Sequence, residues 1–575
     1  MENSKNVFGG KDWLKLDNAA KIFPAQNTKT WSNIIRYSLN LTVEIDPVIL
    51  EQALKDILPR FPSLCVKIKR GVFWYYFEHN DKIPVISEEP KNKFVPIDYS
   101  ESNGFLFKIF YGKKHLSIET FHALTDGYGC EVFLNTLAAQ YLRLLGHSIP
   151  CGGSVFDINE KPKKEELEDA FLKNATKGAK MSRSKPNVYH KKGEKLPAFC
   201  SHVTVGHIPL ESIKELCKKY NATITEFFTA ILVEIYIKFQ KQEERKQKEI
   251  SIQVPVNARN QFKTETLRNF SVCYSVRIDP NLGDYTFEEI LKQVSLYLRY
   301  INNPKTLGAM FASNIKLEAL PLMRVIPLVI KDLAIGISYA ITAETTTTAL
   351  FTNLGKVDLP QEMYEFVESC TLLPPAGLLN GGRIGASSVK DTFTVAVANC
   401  YNDTDVEKAL FLKLTEMGLP LKLQNDFSFD NEEFLKPQQD KEKSRKKQKK
   451  LSLTAISLLS ILPAVICVLL NVFAFSSTPW SAYVVTANLL LWTLLVYPFA
   501  ARKVFSKLYS IMSTLGLLTV FSSTSILVMK LFPHNLAFDC IMLSIASTAF
   551  LLLLLLTIAK RNKRLKKWLY KKFYF

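Results

Sequence analysis

The chain has 575 residues, a formal net charge of +19 and ten cysteines. That length exceeds one ordinary hydrophobic core, so two or more folding units are expected. Of the 73 Lys and Arg, 19 lie beyond residue 440, where the only acids are Glu442 and Asp539. The first 440 residues are nearly neutral, and the basic groups crowd beside long apolar runs. This pattern speaks against a nucleic-acid groove and for a membrane. The opening "MENSKNVFGGKDWLKL" lacks an apolar core, so no signal peptide is expected. No two cysteines form a C-x-x-C pair. Neither a zinc site nor a disulfide framework is expected, and the cysteines read as buried small hydrophobes in a reducing compartment.

Residues 31–45, "WSNIIRYSLNLTVEI", alternate like a strand. Asp46-Pro47 then opens a helix through Leu58, with Asp46 as N-cap and Pro47 in the first helical position. Residues 64–80 predict a hairpin turning at Arg70-Gly71, and 105–122 a second one turning near Gly112. Its outgoing strand ends at His122, and the apolar pattern from Gly129 to Leu145 predicts a helix. The charged stretch 156–198 reads as a crossover. Beyond it, strands are expected at 202–210, 249–257, 271–279 and 391–400, and helices at 223–239, 287–301 and 405–418. Residues 322–341 are long enough to tempt a membrane span, but Arg324, Lys331 and Asp332 at the centre would each cost about 2.5–3.5 kcal/mol in lipid. A helix packed on the domain is expected there.

Four apolar stretches follow, at about 451–475, 480–500, 508–529 and 535–559, each near the roughly 20 residues that a bilayer core requires. A cytoplasmic placement of residues 1–450 and of the C-terminal tail collects nearly all flanking basic groups on one side, as the positive-inside rule prefers. The tail "KRNKRLKKWLYKKFYF" alternates basic and aromatic residues, which suits an anionic leaflet. Asp539 lies near the interface end of the last span. With no second charge inside any span, a transporter or channel is disfavoured.

The strand-to-helix junction "ETFHALTDGYGCEVFLN" (119–135) carries the chemistry. Two titratable groups at a buried strand end are costly unless paired or working. His122 can exchange a proton near neutral pH. Asp126 can fold back to hold the junction, and Gly127 permits a conformation that a side chain would obstruct. Cys130 is a candidate nucleophile, set against the plainer reading of a core thiol. The bland alternative for the pair is a core histidine and a capping aspartate. Against it, H-x-x-x-D-G arises by chance in only about one such chain in fifty.

"HALTDG" resembles the H-x-x-x-D-G signature of the chloramphenicol-acetyltransferase-like superfamily of condensation and BAHD acyltransferases. "LPRFPSL" (58–64), "VPVNAR" (254–259) and "TTTALFTNLGKV" (346–357) agree, the last two most with its alcohol acetyltransferase branch. The resemblance covers roughly residues 10–430. It implies a mixed α/β fold of two similar halves around a central tunnel, residues 1–155 and 199–430 joined by the crossover 156–198. A polybasic linker (431–450) and an all-α transmembrane bundle (451–575) follow. It further implies that His122 is the catalytic base, that Asp126 and Gly127 shape the loop, and that Arg259 pairs with Asp126. Asn257, Asn353 and Gly355 are its positions for tunnel lining, with a strand-end turn the competing reading of the last two. No oxyanion donor is assigned. Phe121 replaces the first of two adjacent histidines common in condensation domains, and the D-F-G-W-G segment of the plant enzymes is absent.

The expected activity is transfer of an acyl group, acetyl or longer, from acyl-CoA as co-substrate to an alcohol or amine, with no bound cofactor and no metal. A membrane tether argues for a lipidic acceptor. The competing reading is a non-catalytic acyltransferase-like binding module at the membrane. A peptide-synthetase condensation unit, which needs a carrier protein, is a third.

Overall fold

The structure is a computed structural model. It describes residues 8 and 13–426, apart from gaps at 28–31, 91–92, 177, 180–187, 198, 244–246, 320–322, 324–325, 343, 376 and 378–381. The chain divides into two compact units, Met1–Asp430 and Asn431–Phe575. The polybasic linker, the four expected spans and Asp539 lie outside the described residues. Among the described residues no helix is long and apolar enough to cross a membrane.

The described unit is mixed α/β. Its strands are β1 (Trp13–Lys15), β2 (Ile34–Leu41), β3 (Val66–Arg70), β4 (Tyr75–His79), β5 (Ile86–Glu88), β6 (Phe107–Tyr111) and β7 (His115–Phe121). Then come β8 (His202–Pro209), β9 (Ile250–Asn257), β10 (Ser271–Ile278), β11 (Ala349–Lys356), β12 (Val367–Leu373), β13 (Gly382–Val389), β14 (Thr392–Asn399) and β15 (Lys422–Asp426). They form three sheets, in the orders β1-β4-β3, β12-β2-β7-β6-β5 and β10-β9-β11-β13-β14-β8-β15.

The helices that matter for the site begin with α1 (Phe23–Gln26), α2 (Pro47–Ile57) and α3 (Gly127–Leu144). Asp46 caps α2 by accepting from the Val48 and Ile49 amides, with Pro47 first in the helix. One core lies between the five-stranded sheet and α2 and α3, where Tyr37, Leu54, Leu116 and Phe133 are fully buried. A second builds on the seven-stranded sheet, with Phe228 of α6 (Ile224–Glu243) stacked on Phe351.

Two features tie the expected halves together. Strand β12, from late in the chain, runs antiparallel to β2 and completes the five-stranded sheet. In the crossover, Glu166 accepts a buried bidentate pair from Arg60 of the "LPR" segment, at 2.6 and 2.7 Å. Residues 164–167 and 170–174 are helical turns, so part of this charged stretch is ordered against the domain.

The segment 322–341 overlaps the helix Leu328–Thr342, labelled α9 among the described residues, after α4 (Ala170–Asn174), α5 (Leu210–Lys219), α7 (Phe287–Ile301) and α8 (Pro304–Ala319). It packs on the domain, as its charges predicted: Lys331 is buried and donates to the Phe73 carbonyl, and Asp332 accepts from Tyr75 and Arg70. Among the described cysteines, 65, 130, 200, 217 and 370 are buried, but Cys151 and Cys273 are exposed. The expectation of uniformly buried thiols is corrected there: Cys273 points outward from the edge strand β10.

Candidate active site

His122 follows the last residue of β7. Its amide donates to the Asn33 carbonyl at 2.9 Å, which ties it to the residue preceding β2. The half-buried imidazole stacks on Phe23 of α1, with centroids 4.5 Å apart and planes 18° from parallel. Nδ1 lies 3.0 Å from Oδ1 of Asn269, and the Asn269 amide nitrogen faces Oδ2 of Asp17 at 3.4 Å. Asp17 is fully buried, accepts from the Ala20 amide, and lies 3.6 Å from Nε of Arg268.

This network assigns the tautomer. Burial raises the Asp17 carboxyl, opposed by Arg268 and by the hydrogen bonds from Ala20 and Asn269; with Asp17 ionised its oxygens only accept, so the carboxamide turns its nitrogen to Asp17 and its oxygen to His122. In that arrangement Nδ1 is the donor to Asn269 and Nε2 is the unprotonated nitrogen. Burial lowers the imidazole pKa below its ordinary value, against opposing contributions from its own carbonyl, Asp126 and Asn269. A ring so placed is neutral at pH 7 and able to accept a proton.

Asp126 points to the other side of the junction. It caps α3 through the Gly129 amide, and its Oδ2 accepts from Arg259 at 2.8 Å, the Phe270 amide at 2.8 Å and the Ser271 hydroxyl at 3.0 Å. Burial would raise this carboxyl, but Arg259 and the two hydrogen bonds hold it below its ordinary value. Arg259 is itself fixed by the Thr266 carbonyl, by Asn257 at 3.1 Å and by the Tyr128 ring. The long loop between β9 and β10 thus supplies Arg259, Arg268, Asn269 and Phe270 to one junction.

The remaining sequence-derived positions fall as follows. Asn257 holds Arg259 through its side-chain oxygen. In β11, Asn353 accepts from the Gly355 amide at 2.9 Å, and Gly355 has φ +90° where the pairing with β13 shifts register. Leu354, between them, faces Gly127.

The role of Gly127 is corrected. It opens α3, and an added Cβ would meet Leu354 and Leu372 at ordinary distances of 3.5 and 3.6 Å. The crowded glycine is Gly129, whose Cβ would lie 1.9 Å from Thr125 Oγ1 and 2.6 Å from the Leu267 carbonyl oxygen. Cys130 is fully buried and its thiol is pushed up to about 12 by desolvation, so it is core material and not a nucleophile.

Sequence reasoning missed Asp17, Phe23 and Asn269. Asn269 lies 147 residues from His122 in the chain, and no local spacing joins them.

No family model matches the chain, and no curated protein matches it. Among solved structures, the starter condensation domain of rhizomide synthetase, in complex with C8-CoA and Leu-SNAC, is similar at 12% identity. The match covers 71% of this chain and 94% of that one, with a TM-score of 0.47. Polyketide synthase associated protein 5 from Mycobacterium tuberculosis matches at 13% identity over 70% and 97%, TM-score 0.47. Trichothecene 15-O-acetyltransferase from Fusarium sporotrichioides matches at 14% over 70% and 94%, TM-score 0.44.

Proposed function

We propose that this chain is a membrane-anchored acyltransferase that moves an acyl group from acyl-CoA to an alcohol or amine, with His122 as general base. The observation that carries the reading is the His122–Asn269–Asp17 network, which engages Nδ1 and leaves Nε2 to accept a proton. Nε2 takes the proton of the acceptor hydroxyl or amine as that atom attacks the thioester carbonyl. The tetrahedral intermediate expels the CoA thiolate, which recovers the proton from the imidazolium. No acyl-enzyme forms, in keeping with the inert Cys130. The choice of acyl transfer over other base chemistry is supported by the resemblance of "HALTDG" to an acyltransferase signature.

The Asp126–Arg259 pair is assigned a positioning role: it locks the loop that delivers Asn269. Residues 1–155 and 199–430 are read as the two halves of the catalytic domain, with Asn257, Asn353 and Gly355 near its tunnel. Four spans in 451–559 would anchor this domain on the cytoplasmic side, which favours a lipidic acceptor.

The test supplies the full-length protein with acetyl-CoA and longer acyl-CoAs, pooled alcohols, amines and a membrane lipid extract, and follows both free thiol and acylated product by mass. Thiol release that requires an acceptor and yields its ester or amide supports the reading. Thiol release without an acylated product would mark a thioesterase, and none with any donor would refute acyl transfer.

A further inference from the structure

The β3–β4 hairpin ends in the sequence "RGVFW", an unusual choice for an exposed turn, where polar residues and glycine prevail. Val72 is 71% exposed and Phe73 42%. Beside them, the first turn of α9 presents Val329 at 65% and Ile330 at 54%. The two segments are joined directly, since the Leu328 amide donates to the Val72 carbonyl at 2.8 Å. Single exposed apolar residues need no explanation, but four on two linked segments make a patch.

The patch is held rigidly. Gly71 and Trp74 close the turn through a 3.0 Å backbone bond. Lys331 reaches beneath it, donating to the Phe73 carbonyl at 2.8 Å with its ammonium 3.5 Å from the centre of the Trp74 ring. Arg70 and Tyr75 both bind Asp332 on the same helix. Four polar links therefore fix the hairpin to α9 while the apolar side chains of Val72, Phe73, Val329 and Ile330 are exposed.

The adjoining sheet face supplies charge. In the three-stranded sheet, Trp13, Lys15, Lys67, Lys69, Tyr76 and Glu78 share one face by register. Three lysines and two interfacial aromatics stand beside an apolar tip; Lys67 and Lys69 share the single acid, Glu78, at 2.9 and 3.5 Å, so the face keeps a net positive charge. That combination matches an anionic bilayer: aliphatic groups enter the headgroup boundary while lysines reach phosphates and aromatic rings sit between. The four apolar stretches and basic runs after residue 440 supply the independent reason for a membrane nearby.

We propose that the β3–β4 hairpin tip and the first turn of α9 dock on an anionic lipid bilayer. The surface lies one helix from the candidate site. Gly336 of α9 packs on the Ala25 carbonyl of α1, where an added Cβ would come within 3.2 Å, and Phe23 of α1 stacks on His122. A lipidic acceptor would thus leave the bilayer next to the base. The docking itself is independent of the His122 chemistry.

The test reconstitutes the full-length protein into phosphatidylcholine vesicles with and without phosphatidylserine. An environment-sensitive label is placed on Val72→Cys, Ile330→Cys or, outside both segments, the exposed Leu282→Cys, in a background without other reactive cysteines. Lipids carrying a quencher along the acyl chain report depth. Labels at 72 and 330 are expected about 5–10 Å below the headgroups, with the label at 282 in water. Lys67→Glu with Lys69→Glu should reduce the quenching in phosphatidylserine vesicles. Equal exposure of all three labels to an aqueous quencher would overturn the proposal. Labels at 72 and 330 shielded from both quenchers would also overturn it, in favour of cover by a second copy or by residues 451–575.

Discussion

The Asn269 carboxamide lies 3.0 Å from His122 Nδ1, and its nitrogen faces the buried carboxylate of Asp17. A neutral group thus orients the candidate base, where a carboxylate in the same place would also raise its pKa. The acid limb of kcat/KM is accordingly expected below the ordinary histidine value of 6.5, because the active form is the neutral ring. Asn269→Asp should move that limb to higher pH, and Asn269→Ala should lower kcat roughly 10-fold by freeing the ring. A pH–rate series on the three proteins checks both. An unmoved limb in the Asp variant would show that residue 269 does not contact the working base.

The Arg259 and Asp126 side chains are 7% and 2% exposed, and removing one partner strands the other. Arg259→Met should cost about 3–5 kcal/mol at neutral pH. The pH dependence has a definite sign. In the native protein the Asp126 pKa is depressed, so its contribution is present above the unfolded carboxylate value and is lost as pH falls through the folded one. In the variant, burial without the cation raises that pKa, so folding takes up a proton and acid favours it. Urea titrations should therefore show the gap between the two proteins narrowing from pH 7 to pH 4.

The two glycines of "DGYG" should respond unequally. Gly127→Ala meets ordinary contacts and should change stability by less than about 1 kcal/mol. Gly129→Ala drives a methyl into the Leu267 carbonyl and Thr125 and should cost about 1–3 kcal/mol or more. Thermal unfolding of both variants decides the point.

Local chemistry made much of this fold legible. Asp46-Pro47 and the hairpins 64–80 and 105–122 announce themselves through caps and turns, because their partners are near in sequence. Strands β12 and β13 do not: Cys370–Leu373 and Gly382–Val389 are buried on both faces, so alternation is lost, and β12 pairs with β2 over three hundred residues away. The same distance hid Asn269 and Asp17, two common residue types whose role exists only once the β9–β10 loop reaches α3. The unusual six-residue spacing drew attention to His122, and the resemblance supplied Arg259. Sequence shows which glycine belongs to a motif, not which one lacks room, so it points to Gly127 and passes over the crowded Gly129.

Cys130 should stay silent toward thiol reagents in the folded protein, since burial pushes its thiol up to about 12. Cys151 and Cys273, both exposed, should react first. Mass mapping after brief alkylation tests this, and modification of Cys130 ahead of them would reopen its nucleophilic role.

The most direct test of the account is the rate of acceptor-dependent thiol release by the full-length protein and by His122→Ala, measured at saturating acyl-CoA with circular dichroism confirming equal folding. The account predicts a loss of about 10²-fold or more in the variant. Equal rates in the two proteins would contradict it, and His122 would then be a structural residue at a strand end.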